Sequence, residues 1–338
     1  MYPQRLRQKA PPKDLAKAIE AFDFTVEEED LPCRVDAFIK RKLPWRSRAF
    51  FQRMIDDGLV TMIDDGLVTL NGQPTRAGRY LLLGEKLHID ISPYQQEHSE
   101  AKIDLDVIYE DEALLVLNKK PGTIVHPTGV HLYDTLLNAV HAKYKDLAYR
   151  PTLIHRLDKD TSGVLILAKS EKFRTHLACQ IEKREVKKVY RTLTHGVFSE
   201  REGDIALPIG DNKYSHIRLK QMIRMDGLPS LSRFTVKASA PCVPGFQDGL
   251  SLVDVAIKTG RTHQIRVHMS AIGHPVVADK LYGREKEANI CGVKIETQLL
   301  HAMSFICRHP ITEQEIEFTA PLPEAFQNAV SALFPPLQ

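Results

Sequence analysis

The sequence predicts an α+β protein: a mixed, largely antiparallel sheet with flanking helices, preceded by a small α+β module. Three observations carry this expectation. β-type runs (Leu114–Leu117, Val164–Ala168, Leu252–Ile257, Glu315–Phe318) outnumber the helical candidates, which are Tyr133–Lys143, Lys172–Lys183 and the segment after Thr262. Their order is mixed rather than strictly alternating, which argues against a doubly wound parallel fold. Finally, 338 residues are enough for about two domains.

In chain order, residues 1–30 are polar and end in an acidic cluster at Glu27–Asp30. They read as a poorly anchored extension closing in a short strand. Residues 31–92 read as a compact module. Val35, Phe38 and Ile39 have helical spacing, and Pro44 breaks the pattern. Ser47 can cap a second helix carrying Phe50, Phe51 and Met54. Val68–Leu70, an Asn71-Gly72 turn and a strand around Leu87–Ile91 complete the module as a small hairpin. Inside it, the octapeptide MIDDGLVT of Met54–Thr61 is repeated letter for letter at Met62–Thr69. Solenoid units are longer and degenerate. This is therefore a duplication at a helix-to-strand junction, with one copy expected to bulge out as a loop. Residues 93–102 form a polar linker, and 103–338 form the larger domain.

Composition excludes several classes. Hydrophobic residues make up 43% and charged residues 26%, which excludes a disordered or collagen-like chain. No run approaches the ~18 apolar residues of a spanning helix, and no secretory signal is visible, so no membrane is expected as a partner. Five scattered cysteines without a C-x-x-C pair point to a reducing, cytoplasmic setting. The net charge is only +3, but basic residues cluster. Between Arg34 and Arg53 stand seven of them, including Arg46 and Arg48, against Asp36 alone; Lys183–Arg191 holds five against Glu185. Such patches are the footprint of a nucleic-acid surface, although a solvated, salt-bridged face has the same composition.

Three segments carry candidate chemistry. Leu153–Lys169 places Asp158 before a Thr161-Ser162-Gly163 turn at the start of an apolar strand, an arrangement that holds a carboxylate rigidly toward a cleft. Lys187–Tyr190 leads into another strand. In Thr259–Met269, Gly260 turns the chain and Thr262 can cap a helix with Ile265, Met269 and Ile272 on one face. Either Arg266 or Arg261 could face the acid; the helix-face argument favours Arg266 and leaves Arg261 for phosphate. His263 and His268 are five apart and cannot chelate as an i, i+4 pair, so no metal is expected. There is no G-x-S-x-G, no G-x-x-x-x-G-K-[ST] and no G-x-G-x-x-G. A carboxylate, a phenol and an arginine amid basic surfaces suit a cofactor-free reaction on a nucleic-acid base.

The segments HRLDKDTSG, KKVYRTLTHG, GRTHQIRVHMSAIGHPVVADKLYG and LLHAMSF, with LLVLNKKPGTIVHPTG at Leu114–Gly129, resemble the motifs of the RluA-type RNA pseudouridine synthases. The resemblance covers roughly residues 105–333, in the family's order. Residues 31–92 separately resemble an S4-type RNA-binding domain, with Arg34, Arg46, Arg48 and Arg53 as its RNA contacts. The duplicated octapeptide departs from the S4 pattern and puts the local geometry of that module in question.

The resemblance implies isomerisation of uridine to pseudouridine in structured RNA, without a cofactor. Asp158 would act on the ribose, as nucleophile at C1′ or base at C2′, kept ionised and oriented by Arg266. Tyr190 would pack on the uracil and could help remove the C5 proton. Arg156 would probe the RNA and fill the space of a flipped nucleotide. Thr161, Arg261 and Leu300 join the substrate site, Leu300 as an apolar wall behind the base. His155 and His263 also line it, and read as hydrogen-bonding supports rather than catalysts. Ribosomal RNA is favoured over transfer RNA by analogy, since an appended RNA module suits a large folded target; no obligate protein partner is implied. The rival readings are a transfer-RNA enzyme, a non-catalytic assembly factor, and an N-glycosidase that frees uracil.

Overall fold

The computed structural model describes residues 21–42, 68–76, 78–90, 103–127, 134–215, 217 and 219–335. The predicted helix after Ser47, the linker 93–102, and Arg46, Arg48 and Arg53 lie outside the described residues. So does all of the repeated octapeptide except Val68 and Thr69. The chain divides into two compact units: one of residues up to Ile103 together with His126–Lys143, and one of Asp104–Val125 and Tyr144 onward.

In the first unit, β1 (Ala21–Thr25), β2 (Val68–Leu70), β3 (Gln73–Pro74) and β4 (Lys86–Asp90) form a sheet in the order β1-β4-β2-β3. Asn71 and Gly72 both have positive φ (53° and 77°), the requirement of a tight β2–β3 hairpin. Helix α1 (Val35–Lys42) buries Val35, Phe38 and Ile39 against Val26, Leu70, Leu81, Leu87 and Ile89. The end of the supposed extension is anchored after all: β1 pairs with β4 along its whole length, and Val26 is part of the core. Helix α2 (Leu136–Lys143) belongs to this unit.

The second unit is built on one mixed sheet. Its strands run β10 (Glu202–Ile205), β13 (Ser232–Ala240), β14 (Leu250–Ile257), β9 (Lys187–His195), β17 (Leu300–Arg308), β8 (Ser162–Ala168), β6 (Leu114–Lys119), β5 (Val107–Glu110). β18 (Glu315–Thr319) adds to β17, and β7 (Thr152–Leu153) to β8. Every pairing is antiparallel except β17 with β8. β8 is buried at all seven positions, as its uninterrupted apolar run requires of a central strand covered on both faces. Helix α3 (Glu171–Glu182) is capped by Ser170, whose Oγ accepts from the Phe173 N–H at 3.3 Å. Helix α4 is Gln264–Ala271 and α5 is Glu324–Leu333; a separate hairpin joins β11 (Ile209–Asp211) to β12 (Gln221–Ile223), and another joins β15 (Ala288–Ile290) to β16 (Val293–Ile295).

Two cores flank the sheet. Val164, Ile166, Leu177, Val186 and Phe305 lie in one, and Leu193, Leu252, Val277, Ile290 and Phe326 in the other. The four strand runs and the three helical candidates read in residues 103–338 are present, and α5 is a further helix that was not read. The N-cap of α4 is different: His263, not Thr262, stands there, with φ 56° and no side-chain cap. Gln264 ties down the turn before the helix, its Oε1 accepting from the Arg261 N–H at 3.1 Å and the Thr259 hydroxyl at 2.8 Å.

Candidate active site

The loop between β7 and β8 is tied down along its length before it delivers Asp158. The Ile154 N–H donates to the Ile166 carbonyl at 3.0 Å, and the Ile166 N–H donates to His155 Nε2 at 3.3 Å. The Thr161 N–H closes a turn on the Asp158 carbonyl at 3.2 Å. Beneath this loop Lys119, fully buried at the end of β6, donates its three protons to the carbonyls of Lys120, Lys159 and Thr161 at 3.0, 2.7 and 2.7 Å. Burial pushes the Lys119 amine down to about 7, against the pull of Asp160 and Asp158. Thr161 is itself buried, its hydroxyl accepting from Gln298 Nε2 at 2.8 Å. This bond fastens the loop from within.

Asp158 keeps about 30% of its side chain exposed, and Arg266 Nη1 donates to its Oδ2 at 2.8 Å. The rest of the guanidinium is spent on Asp279: Nε to Oδ2 and Nη2 to Oδ1, both at 2.7 Å. Asp279 also accepts the N–H groups of Leu281 and Tyr282, at 2.9 and 3.1 Å. Burial opposes the charge of Arg266, but Asp279 and Asp158 outweigh it and its pKa is raised. Burial likewise works against the Asp279 carboxylate, and the Arg266 and backbone bonds outweigh it, so its pKa is lowered. The choice between two arginines is thus made by geometry. Arg261 is half-buried and directs Nε toward the Pro229 carbonyl at 3.4 Å, while Arg266 holds the acid.

Tyr190 faces the same region. Gly163, Ala302 and Tyr190 form a row across β8, β17 and β9. Gly163 has φ 108°, and a Cβ there would lie 2.2 Å from the Ala302 carbonyl oxygen, so only glycine lets β8 and β17 approach this closely. Burial, then the Asp158 charge, pushes the Tyr190 hydroxyl far above its usual value. Leu300, at the start of β17 opposite Thr192, is buried. Arg156 is exposed beside Asp158.

The two histidines differ. The His155 ring stacks on Phe305 at 5.0 Å and is pushed down to about 3 by burial and by Lys188, so it is a neutral support. His263 Nε2 stands 3.9 Å from Asp158 Oδ2, and its Nδ1 lies 2.9 Å from the Tyr282 hydroxyl. Burial, and then Arg266, lowers the His263 pKa against the pull of Asp158.

The second basic cluster is not one open surface. Arg191 makes a two-bond pair with Asp254 at 2.7 and 2.9 Å, Lys187 reaches Glu315 at 3.5 Å, and Lys188 sits over the Phe305 ring at 5.4 Å. In the first unit, Arg34 is paired with buried Asp36 at 3.2 Å. The sequence reading missed Asp279, Tyr282 and Lys119. Lys119 left one signal, a lysine closing a strand that opens with four apolar residues; Asp279 lay within a quoted motif but had no partner to suggest until the fold brought it to Arg266. Among the described residues, no group of three or more His, Cys, Asp or Glu is placed to hold a metal ion, and no helix is long and apolar enough to cross a membrane.

The mixed-sheet fold defines a class by its likeness to solved structures. Human RNA Pseudouridylate Synthase Domain Containing 1 superposes with a TM-score of 0.53 at 26% identity, covering 70% of this chain and 96% of that one. Residues 113–271 match the RNA pseudouridylate synthase family. An RNA pseudouridine synthase of Bacillus subtilis, YlyB, whose name marks it as uncharacterised, is 35% identical over 92% of this chain and 97% of its own. One from Chloroflexus aurantiacus is 37% identical over 89% and 90%. Ribosomal large subunit pseudouridine synthase D of Neisseria meningitidis serogroup B is 30% identical over 95% and 84%. The chain belongs to the RNA pseudouridine synthase family, and it is an enzyme that converts uridine in RNA to pseudouridine.

Proposed function

We propose that this enzyme modifies large-subunit ribosomal RNA, in the cytoplasm, with Asp158 as its essential carboxylate. The observation that carries the site assignment is the 2.8 Å bond from Arg266 to Asp158, with the same guanidinium clamped by Asp279. A guanidinium is charged at every working pH, and its bond fixes one of the carboxylate's oxygens. Among the described residues no hydrogen bond reaches Asp158 Oδ1, which leaves that oxygen open to the ribose.

In the reaction the N1–C1′ bond breaks, the uracil turns, and C5 bonds to C1′; C5 gives up a proton and N1 gains one, so the product is an isomer. Asp158 acts on the ribose, by attack at C1′ or by taking the C2′ proton. Tyr190 packs against the base, Leu300 backs it, and exposed Arg156 fills the space left when the nucleotide is drawn out. The ribosomal target is supported by the relatives named ribosomal large subunit pseudouridine synthase D from Neisseria and Zymomonas, at 30% and 31% identity. The first unit acts as an S4-like RNA-binding module, its contacts carried by Arg46, Arg48 and Arg53, since Arg34 is spent on Asp36.

The test is tritium release from large-subunit ribosomal RNA transcribed with 5-tritiated uridine. Wild type should release tritium and Asp158→Asn should not. Release confined to transfer RNA would move the substrate; free uracil among the products would make the enzyme a glycosidase.

A further inference from the structure

We propose that His263 reads the 2′-hydroxyl of the target uridine, holding that oxygen jointly with Asp158; this rests on the assignment of Asp158 to the ribose. The first step is the position of the imidazole proton. The Tyr282 hydroxyl accepts the Gln221 N–H at 2.7 Å and lies 2.9 Å from His263 Nδ1. Its single proton has no other acceptor among the described residues, so the arrangement that leaves no donor unspent has Tyr282 donating to Nδ1. The neutral ring then carries its own proton on Nε2, the nitrogen that faces Asp158.

The second step is the gap. At 3.9 Å, Nε2 and Oδ2 are too far apart for a hydrogen bond. One oxygen about 2.8 Å from each would bridge them with an angle of roughly 90° at that oxygen. The bridging group must accept from the imidazole and donate to the carboxylate, and a hydroxyl does both. The 2′-hydroxyl is borne on C2′, next to C1′, the two atoms on which Asp158 acts. It is also the group that separates RNA from DNA.

The backbone agrees. His263 holds φ 56° at the head of α4, a conformation glycine adopts without strain. Its ring is fixed edge-on to Tyr282, 5.6 Å between centroids, and the same Tyr282 ring lies under the Arg266 guanidinium at 5.2 Å. A site built to bond a hydroxyl rejects an analogue lacking it, because its own polar groups are left unpaired.

Two measurements test this. In full-length protein carrying ¹⁵N-histidine, long-range ¹H–¹⁵N correlation should show His263 protonated on Nε2, its signal assigned by loss in His263→Gln; Tyr282→Phe should bring in the Nδ1–H form. Wild-type protein with the proton on Nδ1 overturns the proposal whatever the enzyme's activity. For the second, tritium release is compared on ribosomal transcripts made with 5-tritiated uridine bearing either a 2′-hydroxyl or a 2′-fluorine. On the natural ribose, His263→Ala should lower kcat/KM by roughly ten- to a hundredfold and His263→Gln by less. The 2′-fluorine penalty of the wild type should shrink by a similar factor in His263→Ala. An equal penalty in both overturns the proposal. Absence of wild-type release on the natural transcript instead overturns the assignment of the substrate, and leaves the tautomer measurement standing.

Discussion

Arg266 is the residue on which the site turns, because it bridges two carboxylates with different tasks. Asp279 is buried and fixes the plane of the guanidinium; Asp158 is partly exposed and receives one bond from Nη1. Lysine has no planar fork and cannot serve both. Arg266→Lys should therefore lower kcat by about a hundredfold or more, and should cost stability on the order of 3 kcal/mol, since it leaves Asp279 poorly paired in the interior. Tritium release and thermal unfolding measure the two effects. The pH dependence follows from Asp279. Its folded pKa is lowered, so its contribution to stability is complete above the ordinary carboxylate value near ~4 and is lost as pH falls through the lower folded value. Melting temperatures from pH 7 to pH 3 should fall on the acid side in the wild type. That acid limb should be flatter in Asp279→Asn.

At the scale of elements, the site depends on how closely β8 approaches β17 and on what lies under the loop before β8. Gly163→Ala would place a Cβ 2.2 Å from a backbone oxygen at φ 108°. Neither strand can yield without shifting the row that contains Tyr190, so we expect a loss of about 3 kcal/mol or more, read as a fall in Tm, together with loss of activity. Lys119→Met tests the loop differently. It keeps much of the volume and strands the carbonyls of Lys120, Lys159 and Thr161. Stability should fall by roughly 2–4 kcal/mol, and kcat should fall more than RNA affinity does, because the loop carries Asp158 and not the RNA surface. Equal stability and activity to wild type would show that water replaces the ammonium without cost.

The whole molecule joins a catalytic unit to a smaller one with basic residues. RNA affinity should fall steeply with salt, as phosphate neutralisation requires. Replacing Arg46, Arg48 and Arg53 with alanine together should reduce the magnitude of the log K against log salt slope by up to about 3 and raise KM far more than it lowers kcat. A slope unchanged by the triple substitution would remove those residues from the RNA surface. How much of this was legible beforehand differs by region. A strand such as β8 was readable because a short apolar run like Val164–Ala168, bounded by turn residues, is consistent with a covered strand. Asp158, Tyr190 and Arg266, the residues proposed for the site, each stand in a contiguous motif. The pairing state of the basic clusters was not readable, since Asp254 and Glu315 lie more than sixty residues from the arginine and lysine they neutralise.

The sequence by itself determined the α+β class, the positions of several strands and helices, the family, and the three residues proposed here for the chemistry. Each of these follows from local pattern: alternation, helical spacing, or a short motif whose residues are neighbours in the chain. Only the tertiary structure decided which arginine holds Asp158, that Asp279 braces it, that Lys119 fastens the loop from below, that Thr161 faces inward, and that Tyr190 is buried within reach of the Asp158 charge. The physical reason is common to all five. A bond from Arg266 to Asp158 spans 108 residues and one from Lys119 to Thr161 spans 42. Burial and charge are properties of what surrounds a side chain, and those surroundings form only when distant segments pack.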